Sequence, residues 1–361
     1  MKDFIGVVQA LIMTITALAG QNDPQYKVTP VGFLQMLLEN STTAQVANLD
    51  QLKMGLDREI KIRYMQRGLE SEVQNRDDCD TPIRPEWKEV SIGQPLYSKI
   101  GIMIADSEMR KYQEAASQGV TIGSPSVSVM AGLYETMLVK LNSLIQNVNN
   151  NLLSAQSTKW GVNAVTGLNT PQTVNFANTP TMNDGIVKLI LDYQANEAVG
   201  NPQIVGNGTV TAYDVLQGLK KSYDSSGFSS NPLNVYNDFS SASKWGVNHF
   251  GVFVPGLIAF VDYNKNVGPW AGVRGESLFF TLPIPMVLAN GKLSSLVLDC
   301  QLKYYDCPIF DPDTGVLIAD RGYGITLGKY YGLWNAPNNM FAATDRLNGF
   351  NGSLHYIGTS V

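Results

Sequence analysis

The longest helix signal in the chain is SVSVMAGLYETMLVKLNSLIQNVNNNLLSAQS, residues 126–157. Its apolar residues recur three and four positions apart, which predicts a helix with one buried side. Pro125 precedes the pattern, and Ser126 or Ser128 can cap the first free backbone N–H groups. A rod roughly 40 Å long suits a scaffold strut, although a long helix in any large α+β domain gives the same pattern. The predicted buried residues are Met130, Leu133, Met137, Leu138, Leu141, Leu144, Ile145, Val148 and Leu152.

The composition indicates a folded protein with a neutral, polar surface. The chain has 361 residues, of which 44% are hydrophobic and 16% are charged. Soluble domains usually carry about 25% charged residues. The net charge is −5 and no run of Lys and Arg exceeds two residues, which argues against a basic arm that neutralises nucleic acid. Such a surface suits extensive protein–protein contact or an extracellular location.

The N-terminal segment predicts either a docked helix or an export signal. Residues 4–19 are apolar, and Ala17-Leu18-Ala19 resembles a signal-peptide cleavage site. Asp3 beside Lys2, and polar residues within the run, weaken that alternative. A span of about 16 residues is also short for a membrane crossing. We therefore predict an amphipathic helix that packs on protein.

Three cysteines are too few for a disulfide framework, and no C-x-x-C pair is present. Cys300 and Cys307 could pair across a turn. Two unpaired thiols on β-strands in a reducing compartment are the simpler interpretation. Cys79 lies far from both in the sequence.

Further elements are predicted on both sides of the long helix. Residues 43–75 are predicted to form a second helix, with Val46, Leu49, Leu52, Leu56, Ile60 and Tyr64 on its buried side. Val90 and Ile92, then Ile100 to Ile104, alternate with other residues around Gly93-Gln94-Pro95 and predict a β-hairpin. This hairpin has few apolar neighbours in the sequence, so it must pack on another part of the chain or on a neighbouring subunit.

The rest of the chain is predicted to pass from helices to strands. Helices are expected at 106–117, 184–198 and 211–223, a strand at 201–208 and a flexible loop at 224–232. From Phe250 onward the alternation predicts strands at 250–254, 257–262, 278–282, 296–304, 325–330 and 353–357. The pentapeptide Lys159-Trp160-Gly161-Val162-Asn163 recurs as Lys244-Trp245-Gly246-Val247-Asn248. One such match indicates a repeated local turn or chance, not a repeat protein.

Motifs for catalysis, metal binding and phosphate binding are missing from the sequence. The two histidines, His249 and His355, lie in predicted strands and are interpreted as structural residues. No H-E-x-x-H, G-x-S-x-G or phosphate loop occurs. Asp311-Pro312-Asp313-Thr314-Gly315 is better explained as a turn than as a calcium loop. We predict a structural protein that is not an enzyme and carries no cofactor and no metal.

The C-terminal third contains stretches that resemble a known family. They are Gly200-Asn201-Pro202-Gln203-Ile204-Val205-Gly206, Val254-Pro255-Gly256-Leu257-Ile258-Ala259-Phe260-Val261-Asp262-Tyr263-Asn264, Asp299-Cys300-Gln301-Leu302-Lys303-Tyr304-Tyr305-Asp306-Cys307, Tyr331-Gly332-Leu333-Trp334-Asn335-Ala336-Pro337 and Asn348-Gly349-Phe350-Asn351-Gly352-Ser353-Leu354-His355-Tyr356. Across residues 200–357 the chain resembles major capsid proteins of tailed phages that infect Bacteroidetes-type bacteria, including the crAss-like group. These are packing and turn residues, without chemistry of their own.

The resemblance implies an α+β chain with the Hong Kong 97-type capsid fold. Residues 1–84 would be an N-terminal arm and 85–122 an extended hairpin loop that reaches a neighbouring subunit. Residues 123–198 and 286–361 would form a peripheral domain with the long helix as its spine, and 199–285 an axial domain. Residues expected at the subunit interface are Trp87, Val90, Ile92, Tyr97, Ile100 and Tyr112.

The same resemblance implies a function and partners. The chain would assemble with itself, as hexamers and pentamers, into an icosahedral virion capsid around double-stranded DNA, without a basic binding arm and without a membrane. Scaffolding, portal, decoration or head proteins would be further partners, and assembly would take place in the host bacterial cytoplasm. Two alternatives remain at this level: an exported β-rich surface protein that binds or processes carbohydrate, and the shell protein of a cellular nanocompartment (encapsulin-like).

Overall fold

The computed structural model describes residues 2–19, 26–30, 32–40, 45–65, 87–119, 125–176, 184–196, 198, 200–207, 233–288, 293–310, 314–319, 321–337 and 349–359. Helices and strands are both abundant in them, so the predicted α+β class is confirmed. The chain divides into two compact units. The first comprises Met1–Pro30, Leu96–Val148 and Asp262–Tyr331, and the second comprises Val31–Pro95, Asn149–Val261 and Gly332–Val361.

Within the described residues the elements have the following bounds. The helices are α1 (Lys2–Ala19), α2 (Gly32–Glu39), α3 (Leu49–Met54), α4 (Asp106–Ser117), α5 (Pro125–Ser157), α6 (Asp184–Ala195) and α7 (Ser241–Lys244). The first strands are β1 (Gln45–Val46), β2 (Lys61–Met65), β3 (Trp87–Ser91), β4 (Leu96–Ala105), β5 (Gln172–Asn175), β6 (Gln203–Gly206), β7 (Asn234–Asn237) and β8 (His249–Phe253). The remaining strands are β9 (Ile258–Tyr263), β10 (Gly272–Arg274), β11 (Ser277–Val287), β12 (Leu293–Tyr305), β13 (Ile309–Phe310), β14 (Leu317–Ala319), β15 (Gly322–Asn335) and β16 (Ser353–Thr359).

The long helix α5 confirms the strongest sequence prediction. It begins one residue earlier than the pattern suggested and ends at Ser157, the predicted position. All nine residues predicted on its apolar side are buried. The apolar residues of α5 recur at helical spacing without an interrupting proline. A helix is the one regular structure that buries all of them on the same side.

The first unit is built on an antiparallel sheet in the order β10-β11-β12-β15-β4. Inward-facing residues of its central strands, including Leu282, Leu298 and Leu327, are fully buried. Helix α1 packs against α4 and β11, which confirms the predicted amphipathic N-terminal helix. Among the described residues, no helix is both long enough and apolar enough to cross a membrane.

The second unit contains a five-stranded sheet in the order β5-β16-β8-β6-β7. β16 runs parallel to β5 and β6 runs parallel to β7, while β8 is antiparallel to both of its neighbours. Helix α6 covers one face, since Leu189 and Tyr193 belong to the same buried cluster as Val252 and Tyr356. Strand β16 lies between β5 and β8, so it is inside the sheet and not at its edge.

The predicted helix at 43–75 is confirmed over residues 49–54 and wrong over the rest of residues 45–65. Only 49–54 are helical, because Gly55 adopts a left-handed conformation (φ 72°) that ends α3. Beyond it, Ile60, Ile62 and Tyr64 are buried and alternate with more exposed residues in strand β2. Residues four apart satisfy both periods, so Ile60 and Tyr64 fitted the helical pattern by coincidence. Residues 66–75 lie outside the described part of the chain.

The predicted hairpin around Gly93-Gln94-Pro95 is also wrong in its pairing. β3 pairs with β2, from Lys61 opposite Ser91 to Met65 opposite Trp87. β4 pairs instead with β15. The backbone between β3 and β4 bonds elsewhere: the N–H of Ile92 donates to the oxygen of Ile60 and the N–H of Ile60 donates to that of Gly93. Alternation reveals a strand but not its partner.

The predicted strands from Phe250 onward are all present, most of them longer than predicted. Helices α4 and α6 and strand β6 also match their predictions. The expected helix at 211–223 and loop at 224–232 lie outside the described residues. Cys300 is buried, Cys307 is exposed and both thiols are free.

The two copies of Lys-Trp-Gly-Val-Asn meet within the second unit. The ring centroids of Trp160 and Trp245 lie 5.1 Å apart, in an edge-to-face arrangement, and both rings also contact Phe253. The indole N–H of Trp245 donates to the oxygen of Leu153 at 2.9 Å. The repeated segment therefore supplies both members of one tryptophan pair.

Glycine to alanine substitutions at two positions are expected to have opposite effects. A Cβ at Gly161 would lie 2.5 Å from Asn351 Oδ1 and 2.8 Å from the oxygen of Ser353, so Gly161→Ala should lower the free energy of unfolding by about 2 kcal/mol. A Cβ at Gly132 meets nothing within 4 Å on helix α5, so Gly132→Ala should raise it by about 1 kcal/mol. Urea denaturation of both variants checks the signs, and a stabilising Gly161→Ala would contradict the packing described here.

Candidate functional site

Strands β2 and β3 form a ladder with one buried face and one exposed face. Residues opposite each other in an antiparallel ladder share a face. Ile62 and Tyr64 are buried, and their partners Val90 and Lys88 are partly buried on the same side. The other face therefore carries the pairs that alternate with these, and all of its side chains reach solvent.

The exposed face, formed by Arg63, Met65, Trp87 and Glu89, has the composition of a binding surface. Met65 and Trp87 lie opposite each other and are 43% and 57% exposed. The guanidinium carbon of Arg63 lies 5.8 Å from the centre of the Trp87 ring, and Glu89 is the ladder partner of Arg63. Trp, Met and Arg are the residue types enriched where proteins bind proteins. Neither large apolar side chain is covered by the chain's own second unit.

A network of polar side chains holds the base of this ladder. Asn48 donates from Nδ2 to Asp57 Oδ2 at 2.8 Å and to the oxygen of Glu59 at 2.7 Å, and its Oδ1 accepts the N–H of Lys61 at 3.0 Å. Asp57 also pairs with Lys61 Nζ at 2.8 Å. The Lys61 ammonium, helped by the Asn48 amide, holds the pKa of the Asp57 carboxyl well below its usual range.

Apolar contacts and a second hydrogen bond complete the attachment. Ile60 is fully buried, and Ile60 and Ile92 both lie against Gly332 in the same unit. Ser91 Oγ donates to Glu59 Oε2 at 2.6 Å. Strand β1 borders the opposite edge of β2. These contacts attach strands β2 and β3 to the rest of the second unit. The exposed face of the ladder is therefore held in a fixed orientation relative to that unit.

The six residues predicted at an interface fall into two groups. Trp87, Val90 and Ile92 belong to the second unit, where Trp87 is exposed while Val90 and Ile92 are partly buried. Tyr97, Ile100 and Tyr112 belong to the first.

Those in the first unit also make contacts within their own chain, although the Tyr97 side chain is still 43% exposed. The Tyr97 ring stacks on Tyr330 with centroids 4.3 Å apart. Ile100 lies opposite Leu327 in the β4–β15 ladder, and Tyr112 is partly buried.

Sequence reasoning missed Arg63, Met65 and Glu89. It placed residues 61–65 on a helix. The available signal was the alternation of Ile60, Ile62 and Tyr64, which puts Arg63 and Met65 together on the opposite side of a strand.

Helix α2 is anchored by a buried carboxylate. Asp238 Oδ2 accepts the N–H of Phe33 at 2.9 Å and Nδ2 of Asn149 at 2.8 Å. Asn149 Oδ1 accepts the N–H of Leu34 at 2.8 Å. Gly32 begins the helix in a left-handed conformation (φ 61°), and a Cβ there would collide with the Asp238 carboxylate. Two side chains distant in sequence thus satisfy the first N–H groups of α2.

The two histidines of the chain contact each other within the second unit. His249 Nδ1 and His355 Nε2 lie 2.9 Å apart, so one nitrogen donates to the other. The His355 ring also stacks on Trp160 with centroids 4.1 Å apart. Burial, with a smaller contribution from His249, lowers the pKa of His355 from 6.5 to about 4. Burial also lowers the pKa of His249.

This pair predicts a loss of stability in mild acid. Between about pH 6.5 and about pH 4 the unfolded chain binds a proton that folded His355 excludes, so the free energy of unfolding should fall as the pH falls. His355→Gln should make the pH profile flatter over that range. Denaturation of both proteins at several pH values measures the difference, and identical slopes would contradict the pKa assigned to His355.

No protein-family model and no curated protein matches the sequence. Among solved structures, "Cyanophage A-1(L) capsid asymmetric unit" is 12% identical, with a TM-score of 0.42 over 89% of this chain and 97% of that chain. "Mycobacterium phage Adephagia" is 7% identical, with a TM-score of 0.43 over 95% of both chains. "Capsid structure of the Cyanophage P-SCSP1u" is 9% identical, with a TM-score of 0.38 over 84% of both chains. Two of these three are structures of phage capsids. At 7–12% identity these similarities are distant.

Proposed function

We propose that this protein is a structural subunit that assembles with itself into the icosahedral capsid of a tailed phage. The observation that carries the proposal is the exposed face of the β2–β3 ladder. It presents a tryptophan and a methionine to solvent on strands whose base is fixed to the second unit. Side chains of this kind are costly to leave in water, and they are the usual centre of a protein–protein contact.

The charges on the exposed face fit a second copy of the same chain as its partner. Arg63 and Glu89 lie opposite each other, so a copy can present an acidic side chain to Arg63 and a basic one to Glu89. Complementary charges at the rim steer association and set its register. In a closed shell each modest contact is repeated by symmetry, which makes the sum strong.

The proposal assigns the extended loop to β2 and β3, in place of the pairing expected for residues 85–122. Trp87 stays at the centre of the proposed interface. Val90 and Ile92 help to hold the ladder on its own unit, while Tyr97, Ile100 and Tyr112 are proposed to support the first unit. The other predicted domain boundaries remain proposals.

The overall charge suits a shell that is filled after it closes. A coat that collects nucleic acid by charge needs many Lys and Arg residues on its inner wall. This chain has 26 basic and 31 acidic residues. We propose that it surrounds double-stranded DNA without condensing it, and that separate scaffolding and portal proteins take part in assembly in the host cytoplasm.

Assembly of the purified protein tests this function. Sedimentation velocity and negative-stain electron microscopy at increasing concentration should detect hexamers, pentamers or closed shells. Co-expression with the neighbouring head genes should increase the yield of shells if scaffolding is supplied separately. A folded protein that stays monomeric under both conditions would contradict the proposal. Shells that enclose an enzyme instead of DNA would identify a nanocompartment.

A further inference from the structure

A groove of about 500 Å³ lies on the second unit, between helix α6 and the turn at residues 164–167. Its walls are mainly apolar, and the Val165 and Leu191 side chains are both 57% exposed. Apolar walls that face water favour an occupant that covers them. The residues that line the groove are Val165, Val187, Lys188, Leu191, Asp192 and Ala195.

One lining residue is a buried carboxylate that lacks a cationic partner. Asp192 is 4% exposed, and its Oδ2 accepts the hydroxyl of Tyr356 at 3.0 Å and Nδ2 of Asn163 at 3.3 Å. In the part of the chain that the structure describes, no Lys or Arg nitrogen lies within 4.0 Å of this carboxylate. A buried charge is stabilised by an opposite charge that pairs with it. The groove therefore suits an occupant that brings a cation.

A lysine adds a positive charge at the rim of the same groove. The Lys188 side chain is exposed, and its Nζ donates to the oxygen of Thr173 at 3.0 Å. Lys188 precedes Asp192 by four residues on α6, so both side chains lie on one side of the helix. The groove thus presents one cation and one anion about one helical turn apart.

We propose that this groove receives the exposed face of the β2–β3 ladder of a second copy of this chain, an inference that rests on the proposed assembly function. Arg63 of one copy pairs with Asp192 of the next, and Glu89 pairs with Lys188. Opposed ladder residues lie about 5 Å apart, and residues four apart on a helix lie about 5–6 Å apart. Because these spacings match, both ion pairs can form in one contact.

The apolar residues of the two surfaces are also complementary. Trp87 and Met65 are 57% and 43% exposed, opposite each other on the ladder. In the groove they cover Val165 and Leu191, so apolar side chains on both copies leave water together. The guanidinium of Arg63 lies 5.8 Å from the centre of the Trp87 ring, so the cation and the ring enter the groove side by side.

The contact has the symmetry that a ring of subunits requires. The exposed face and the groove are different surfaces of the second unit, so each copy offers its face to one neighbour and its groove to another. A head-to-tail contact of this kind closes into rings, whereas a contact between two identical surfaces ends at a dimer. Hexamers and pentamers therefore need two distinct surfaces on each subunit.

Cross-linking of assembled shells tests the proposal directly. A carbodiimide joins a carboxylate and an amine that form an ion pair, without a spacer. Treatment of shells made from equal amounts of ¹⁵N-labelled and unlabelled protein should give one peptide in which Glu89 is joined to Lys188. Mass spectrometry should find mixed isotopes in about half of these peptides. Intact shells without this cross-link, or with the cross-link only inside single chains, would overturn the proposal.

Variants of exposed residues provide the second test. Lys188→Glu should raise the protein concentration needed for shells at least tenfold, because it places like charges together, and addition of Glu89→Lys should restore most of the loss. Leu191→Glu should prevent assembly, while Val247→Glu, a matched control that is 64% exposed elsewhere in the second unit, should assemble normally. Circular dichroism should be unchanged in all of them.

The results separate the groove from the assembly function itself. Wild-type shells combined with normal assembly of Leu191→Glu, or with no rescue of Lys188→Glu by Glu89→Lys, would overturn the groove assignment and leave the assembly function intact. A wild-type protein that stays monomeric would contradict both.

Discussion

Trp87→Ala should stop shell formation while the isolated subunit stays folded. Trp87 is 57% exposed in the single chain, so its removal leaves no cavity within the subunit. If it is the centre of the contact, its loss should cost roughly 2 kcal/mol or more, about 30-fold in affinity, at each interface. Because every subunit repeats the contact, a concentration that gives shells from the wild type should give only monomers or small oligomers. Sedimentation velocity and electron microscopy measure both species.

Two further variants make this result interpretable. Trp87→Phe keeps an aromatic ring beside Arg63 and should retain part of the assembly. Phe239→Ala removes an aromatic side chain that is 78% exposed elsewhere in the second unit and should assemble normally. Circular dichroism and thermal unfolding should be unchanged in all three variants. Normal shells from Trp87→Ala would refute the assignment of the exposed face as the subunit contact.

Asp238→Ala should be among the most destabilising single substitutions in the second unit. Asp238 is buried, and its loss leaves the N–H of Phe33 and the amide of Asn149 without their acceptor. Each unsatisfied buried donor costs about 1–3 kcal/mol, and the loss of an N-cap adds about 1 kcal/mol. We expect the free energy of unfolding to fall by about 3–4 kcal/mol, measured by urea denaturation of the unassembled subunit.

Matched substitutions distinguish the loss of the hydrogen-bond network around Asp238 from the loss of a negative charge alone. Asp50→Ala removes an exposed carboxylate from the first turn of α3, so its effect should stay within about 0.5 kcal/mol. Asn149→Ala and Asp238→Ala should be non-additive in the double variant, because the two side chains share one network. Additive effects would contradict a cooperative anchor for α2.

Local periodicity determined the elements that have a single way to hide their apolar residues. The nine residues on the buried side of α5 could be identified from their spacing, because a long helix repeats one spacing many times. The strands that follow Phe250 were predicted for the same reason. A short segment repeats its apolar spacing too few times to distinguish a helix from a strand. The spacing of Ile60 and Tyr64 is compatible with both.

Pairing and distant contacts could not be derived from the sequence. The partner of β3 is β2 rather than β4, and the acceptor for α2 comes from Asp238, whose position along the chain gives no hint of that role. The two Lys-Trp-Gly-Val-Asn segments contact each other, and so do the two histidines. Both contacts depend on how the strands of the second unit are paired.

The sequence by itself determined the α+β class, the long helix, most of the strands, the absence of common catalytic motifs and the resemblance to phage capsid proteins. Only the tertiary structure decided that Arg63, Met65, Trp87 and Glu89 share one exposed face, and that Val165 borders one groove with helix α6. The physical reason is that the burial pattern of a segment reflects its own backbone period, while strand partners and side-chain clusters depend on long-range packing. That packing brings together residues with no fixed spacing in the sequence.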